Sequence, residues 1–211
     1  MVLGVGGRAS YWSQPLRVAL LLALAVLVFC GPMFTSDGLR QGDDYRDEDW
    51  LHDLSFSLHL KRGLRDGEFP LRSHLVGGGY PILGHPSDGT LSPFSLPFVI
   101  LPIGTAVRFN LVFLLWLGAL GMYALGRAQL GLSPSAAGAA ALAFAFSGWF
   151  PSMMLAGFYV QAFYLLVPLA LHVLLGRGSG LRRSLAAASV IVPPMGQKLV
   201  ASGSSLVARS S

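Results

Sequence analysis

The 211-residue chain is 53% hydrophobic and only 12% charged, whereas a soluble domain carries about a quarter charged residues. Its net charge of +5 is divided unevenly, because residues 37–88 hold all ten acidic residues and the remainder of the chain holds only basic ones. This composition excludes an ordinary soluble domain, and the scattering of the other cations at the ends of apolar runs argues against a nucleic-acid-binding protein.

The first apolar segment lies near the N-terminus, after a short polar segment of residues 1–14. Residues 15–36 are predicted to form the first transmembrane span, because a helix needs roughly 20 apolar residues to cross a bilayer. The segment lacks the small-residue cleavage site of a signal peptide, which favours an uncleaved span over that alternative. The only cysteine, Cys30, can form no intramolecular disulfide and is expected to be a small packed thiol.

A polar segment, residues 37–102, follows the first span. Within it, Asp47–Gly63 is predicted to form an amphipathic helix, since acids crowd its start and bases its end, as the helix dipole favours. We expect this helix to lie along the membrane surface with a leucine face turned towards lipid. That predicted face consists of Leu51, Leu54 and Leu58. Gly63 and Gly67 are expected to end the helix.

The residues between this helix and the next long apolar run are rich in Gly and Pro, which favours tight turns. Leu91–Leu101 is apolar but contains Pro93 and Pro97. We therefore expect it to be an interfacial or re-entrant segment rather than a span.

Residues 103–188 are predicted to contain transmembrane helices two to four and the start of a further helix. Pro168 is expected to kink the fourth of these helices. Residues 189–211 form an irregular tail, which we interpret as a sign of truncation or a frameshift. The predicted spans are Ile103–Leu125, Ala136–Phe150 and Phe158–Leu175. The expected fold is thus an all-α, polytopic transmembrane helical bundle whose outer loop carries an interfacial helix.

Charge also predicts the orientation of the bundle. Arg127 and the cluster Arg177–Arg183 lie on short loops, and Arg8 and Arg17 flank the first span. Cytoplasmic loops of membrane proteins carry an excess of Lys and Arg, so these residues predict a cytoplasmic N-terminus. The acidic segment then lies outside the cytoplasm.

A series of short motifs extends over residues 15–176. They are Gly42-Asp43-Asp44, Gly67-Glu68-Phe69-Pro70-Leu71, Gly79-Tyr80-Pro81, Ser92-Pro93-Phe94, Gly121-Met122-Tyr123-Ala124-Leu125, Leu132-Ser133-Pro134 and Ala143-Phe144-Ala145-Phe146-Ser147-Gly148. Their order and spacing resemble those of the bacterial YfhO-like integral membrane proteins, which have the GT-C glycosyltransferase architecture. One position departs from that family, because Arg72-Ser73-His74 stands where a Trp-Asn-Pro is usual.

The resemblance implies a multi-pass protein of the bacterial cytoplasmic membrane, of which this chain would be an N-terminal fragment. It implies transfer of a sugar from a polyprenyl-phosphate donor to a cell-envelope glycan or protein acceptor. Asp43 matches the Asp that follows the first span in the family, so we expect it to act as the base or to position the acceptor. Asp44 is the second candidate.

The residue types suit this chemistry. Sugar transfer to a hydroxyl requires a base, and two adjacent carboxylates repel each other when ionised, which makes one a better base. Asp43 and Asp44 could also hold a divalent cation, although no cofactor is required by the pattern. Arg40, Arg46 and Arg72 are the candidates for binding phosphate, with Lys61, Arg62 and Arg65 as further cations. Tyr80 is expected to pack on a sugar or lipid head group, or else to serve only as part of a turn.

No metal site is predicted, because a zinc site would need more ligands than His52 and His59 supply at sensible spacing.

Two functions other than sugar transfer stay open at this point. A transport component for lipid-linked saccharides would need ionisable groups inside the spans, where only His172 qualifies. A non-enzymatic membrane scaffold is the remaining alternative to the transferase.

Overall fold

The computed structural model describes residues 9–34, 48–69, 71–73, 79–82, 89–155 and 159–176. Within these residues the fold is all-α, as predicted, apart from one pair of two-residue strands. The helices are α1 (Ala9–Phe29), α2 (Glu48–Arg65), α3 (Leu96–Ile100), α4 (Ile103–Ala128), α5 (Pro134–Ala145), α6 (Trp149–Leu155) and α7 (Val167–Leu175). Three 3-10 helices span Gly31–Phe34, Pro93–Ser95 and Tyr159–Leu166. The strands β1 (Arg72–Ser73) and β2 (Tyr80–Pro81) are antiparallel.

The longest helix, α4, lies at the centre of the fold and packs against α1, α5, α7 and the 3-10 helix Tyr159–Leu166. Its sequence is apolar almost throughout, so each face can meet another helix. Residues buried on α4 include Leu111, Leu114, Leu115 and Ala119, which belong to the main apolar cluster. The α4 indole of Trp116 donates a hydrogen bond of 3.1 Å to the Ala19 carbonyl of α1, so Trp116 joins two helices as well as packing between them.

Two glycines allow α4 to approach its neighbours at backbone distance. A Cβ atom on Gly118 would lie 2.6 Å from the Leu165 carbonyl oxygen, and one on Gly121 would lie 2.5 Å from the Leu169 nitrogen. Small residues at such positions allow apolar helices to pack closely where lipid offers no hydrophobic driving force between them.

Two helical segments in the described part of the chain are long and apolar enough to cross a membrane, Ile103–Ala128 and Pro134–Met154. The first is α4. The second contains α5 and α6, separated by a turn after Ala145. The apolar stretches Leu16–Phe29 and Gln161–Leu175 are shorter.

The predicted kink at Pro168 takes a different form. Residues Tyr159–Leu166 form a 3-10 helix, and Pro168 lies in the first turn of the α-helix that follows. A proline is tolerated there because the missing N–H group would have no partner inside the helix in any case. The proline therefore marks a helix start rather than a bend within a continuous helix.

The predicted helix of the polar segment is present as α2, but it continues past Gly63. Gly63 lies inside the helix, and Gly67, with φ of +77°, ends it. Glu68 N donates a hydrogen bond to Gly63 O, and Gly67 N donates one to Leu64 O. This pair of hydrogen bonds is the Schellman motif, in which a glycine just past the helix adopts the left-handed conformation.

The leucines of α2 do not form one buried face. Leu58 is exposed, whereas Phe56 and Leu60 are buried. Leu54 is partly buried against the main cluster, and the side chain of Leu51 lies outside the described residues. Phe56 and Leu60, four residues apart, are thus the side chains of α2 that are buried in the protein, and the lipid-facing leucine side stays a prediction.

We predict that Gly121→Ala destabilises the fold. The added methyl would meet backbone atoms of Leu169, which cannot move aside as a flexible side chain could. Overpacking of this kind costs about 1–3 kcal/mol, which corresponds to a fall in Tm of roughly 2–12 °C for a chain of this size. Thermal unfolding of the detergent-solubilised protein measures it.

The matched control is Gly138→Ala, on helix α5. A Cβ there meets no atom within 4 Å, and alanine favours a helix over glycine by about 0.5–1 kcal/mol. The control should keep or raise Tm. Equal changes in the two variants would contradict a close approach specific to Gly121.

Candidate functional site

Four of the six residues predicted to carry chemistry lie outside the described part of the chain. These are the proposed bases Asp43 and Asp44 and the phosphate-binding candidates Arg40 and Arg46. The other two, Arg72 and Tyr80, lie on β1 and β2. Their positions and the basic end of α2 define what the structure contributes to the site.

Arg72 and Tyr80 lie on the two strands of one short pair. Arg72 pairs with Pro81 and Ser73 pairs with Tyr80 in the antiparallel register, so the two predicted binding residues belong to adjacent pairs of the ladder and are not cross-strand partners. The Arg72 guanidinium is exposed and donates a hydrogen bond of 3.4 Å to the Gly79 carbonyl. The sequence suggested both residues separately, and the structure places them on neighbouring strands without pairing one with the other.

The strand pair is attached to the fold at its end. Ile82, directly after β2, is fully buried, and its N–H donates to the Leu71 carbonyl at 3.0 Å. A buried aliphatic side chain contributes about 1.5–3 kcal/mol on removal from water. Ile82 therefore holds one side of the pair while Arg72 extends into solvent.

A second group of cations lies at the end of α2. The residues Leu58, Lys61, Arg62 and Arg65 recur at i, i+3, i+4 and i+7, which places them on one face of the helix. Together with Ile103, the first residue of α4, they line a cavity of about 300 Å³. On sequence alone Lys61, Arg62 and Arg65 were only further candidates for binding phosphate, although their helical spacing was the signal that could have grouped them.

Lys61 also fixes the position of α2. Its ammonium donates a hydrogen bond of 2.5 Å to the Leu101 carbonyl, in the link between α3 and α4. Leu101 lies between the end of α3 at Ile100 and the start of α4 at Ile103. The basic end of α2 is thus held against the start of the central helix.

A buried polar contact lies about two turns into α4. Asn110 is fully buried, and its amide donates to the Phe94 carbonyl at 2.7 Å and to the Tyr159 hydroxyl at 2.9 Å. Phe98 packs edge-on against Tyr159, with ring centroids 5.8 Å apart. Asn110 therefore ties three segments together at the same end of α4. Asn110 was not among the residues predicted from the sequence to carry a function, although a lone amide in an apolar helix was the available signal.

Histidines supply no metal site in the described part of the chain, which contains no group of three His, Cys, Asp or Glu side chains suited to a metal. His59 Nδ1 lies 2.6 Å from the Ser55 carbonyl, one turn earlier in α2. On α7, the buried His172 Nδ1 has no hydrogen-bond partner among the described residues. The His172 carbonyl accepts a bond from the Gln129 side chain.

No protein-family model, no curated protein and no solved structure matches the chain. The chemistry of its own residues is therefore the basis on which a function is proposed.

We predict that Lys61→Met loosens α2. A hydrogen bond to a charged group contributes about 1.5–3 kcal/mol, so backbone amides of residues 54–65 should exchange with deuterium roughly ten- to a hundredfold faster. Hydrogen exchange followed by mass spectrometry measures the effect. Arg65→Met is the control, because Arg65 is exposed on the same helix and makes no hydrogen bond within the described residues. Equal acceleration in both variants would show that Lys61 is not the anchor.

Proposed function

We propose that this chain is a multi-span protein of the bacterial cytoplasmic membrane and acts as a GT-C-type, YfhO-like glycosyltransferase. Its substrate is a sugar carried on a polyprenyl phosphate, and its acceptor is a glycan or protein of the cell envelope. The observation that carries the proposal is the attachment of the polar segment to one end of α4. Lys61 makes that attachment through the Leu101 carbonyl.

Membrane insertion is supported by the outward face of α1 as well as by the length of α4. A row of large apolar side chains on α1 is exposed from Leu16 to Val28. A soluble protein rarely exposes a contiguous apolar patch of this kind, whereas lipid chains would cover it without cost. The exposed residues are Leu16, Leu20, Leu21, Leu24, Leu27 and Val28.

The position of the polar segment suits an enzyme that acts on a lipid carrier. The carrier's phosphate lies at the boundary between lipid and water, which is the level at which a membrane-spanning α4 would begin. Because α2 is held at Leu101, two residues before α4, the cations at its end lie at that same level. Residues 37–47, which hold Asp43 and Asp44, lead directly into α2.

The reaction we propose is a single displacement. The Asp43 carboxylate takes the proton of the acceptor hydroxyl, whose oxygen forms a bond to the anomeric carbon of the sugar. The bond between that carbon and the phosphate oxygen breaks, and polyprenyl phosphate leaves with the electron pair. Cations near the phosphate, with Arg72 as the described candidate, stabilise the charge that develops on the leaving group.

We predict that positions next to the two ends of α4 are labelled from opposite sides of the membrane. The single native cysteine, Cys30, is buried, so a Cys30→Ala background should be silent. A membrane-impermeant maleimide should label Arg65→Cys on intact spheroplasts and should label Arg127→Cys only after permeabilisation, since both native side chains are exposed. Labelling of both positions from outside would contradict a membrane-spanning α4, and the reverse pattern would invert the proposed orientation.

We predict that Asp43→Asn lowers sugar transfer about 10²–10⁴-fold, the usual contribution of a general base. The assay uses membranes that contain the full chain and measures transfer of label from a radiolabelled polyprenyl-phosphate hexose. Asp66→Asn, an exposed acid just past α2, is the control and should retain activity. Full activity of Asp43→Asn would remove that residue from the mechanism, and no transfer by the unmodified chain would favour a scaffold.

A further inference from the structure

The cavity at the end of α2 has cations on its walls and no acid. Its lining consists of Leu58, Lys61, Arg62, Arg65 and Ile103. Arg62 and Arg65 are exposed, and no ion pair engages either of them within the described part of the chain. Lys61 is already hydrogen-bonded to Leu101, so the two arginines are the groups left with open donors.

Three like charges so close together repel one another. Lys61 and Arg65 are four residues apart, and Arg62 and Arg65 are three apart, which are the spacings at which helix side chains meet. The C-terminal end of a helix carries a partial charge of only about −0.5, and the exposed acids Asp66 and Glu68, which follow Arg65, form no ion pair with these cations within the described residues. The cluster is therefore suited to an anion, and arginine forms paired hydrogen bonds to phosphate oxygens.

Apolar residues beside the cavity indicate which kind of anion fits. Helix α3, which ends directly before the Leu101 carbonyl that Lys61 holds, exposes 61% of Leu96 and 77% of Ile100. Leu58 and Ile103 add apolar surface inside the cavity itself. A basic group next to exposed leucine and isoleucine is the pattern of a surface that binds anionic lipid. A small soluble anion would contact only the cations, and the apolar surface would stay exposed to water.

We infer that this cavity binds the phosphate group of an anionic membrane lipid. Arg62 and Arg65 donate to the phosphate oxygens, and the first part of the acyl chain lies against Leu58 and Ile103. A bound lipid adds to the Lys61 contact and holds α2, and with it the acidic segment, at the membrane surface. The inference rests on the membrane-insertion part of the proposed function and does not require sugar transfer.

The test is lipid binding to the purified full chain in detergent. Native mass spectrometry measures the apparent Kd of the first bound dihexanoyl phosphatidylglycerol, with dihexanoyl phosphatidylcholine as the neutral lipid. Each arginine near an anionic lipid contributes roughly fivefold in affinity, or about 1 kcal/mol. The double variant Arg62→Gln/Arg65→Gln should therefore bind phosphatidylglycerol roughly 30-fold more weakly and phosphatidylcholine unchanged.

The charge-matched control is Arg17→Gln/Arg127→Gln, which removes two exposed arginines elsewhere and should keep the affinity. An equal loss in both double variants would overturn the inference in favour of general charge attraction. Displacement of the lipid by millimolar inorganic phosphate would overturn it in favour of a soluble-anion site.

Two further measurements distinguish a loss of lipid binding from misfolding and from a loss of sugar transfer. If the glutamine variant loses helix content by circular dichroism, Arg62→Lys/Arg65→Lys keeps both charges and should retain selectivity for phosphatidylglycerol, and its failure to do so would contradict the inference. Because the readout involves no transferase reaction, a failed sugar-transfer assay and a failed lipid-binding assay are distinguishable.

Discussion

The close packing of α4 against the 3-10 helix and α7 is the constraint on which the other contacts depend. Gly118 and Gly121 let these backbones approach to distances that any side chain would prevent. A single apolar helix can then be buried by several neighbours at once, and its remaining side chains fill the space between them. Among membrane helices, this kind of fit and not hydrophobic expulsion is the main attraction available.

The same helix organises the polar part of the chain from its first turns. Asn110 binds the Phe94 carbonyl and the Tyr159 hydroxyl, and Lys61 binds the Leu101 carbonyl. In each of these contacts a polar side chain donates a hydrogen bond to a backbone carbonyl or a hydroxyl near the start of α4. Burying a polar group without such a partner is costly, so the contacts restrict how the segments can be arranged.

These contacts also explain why the cations of α2 are grouped as they are. One of the three, Lys61, is used to dock the helix, and this leaves Arg62 and Arg65 free to meet a phosphate. The docking contact and the ligand contact therefore use different residues of one helical face. In this arrangement a bound lipid would reinforce the position that Lys61 already sets, rather than compete with it.

Much of the local structure could be predicted from the sequence. The helix over Ile103–Ala128 follows from its uninterrupted apolar composition, and α2 follows from its charge polarity and spacing. The end of α2 was predicted imprecisely, because Gly63 and Gly67 offer the same signal and only the backbone bonds distinguish them. Which side of α2 packs against the protein was not evident from the sequence, since the burial of Phe56 rather than Leu58 depends on which neighbours pack there.

The sequence by itself determined the helical class of the fold, the separation of acids from apolar runs and the residue types available for chemistry. Only the tertiary structure decided that Arg72 pairs with Pro81 and not with Tyr80, and that Ile103 lines a cavity together with Arg65. The physical reason is the range of the interactions. Periodicity and charge act within a few residues of the chain, whereas the register of a strand pair and the position of Ile103 beside α2 depend on how whole segments pack.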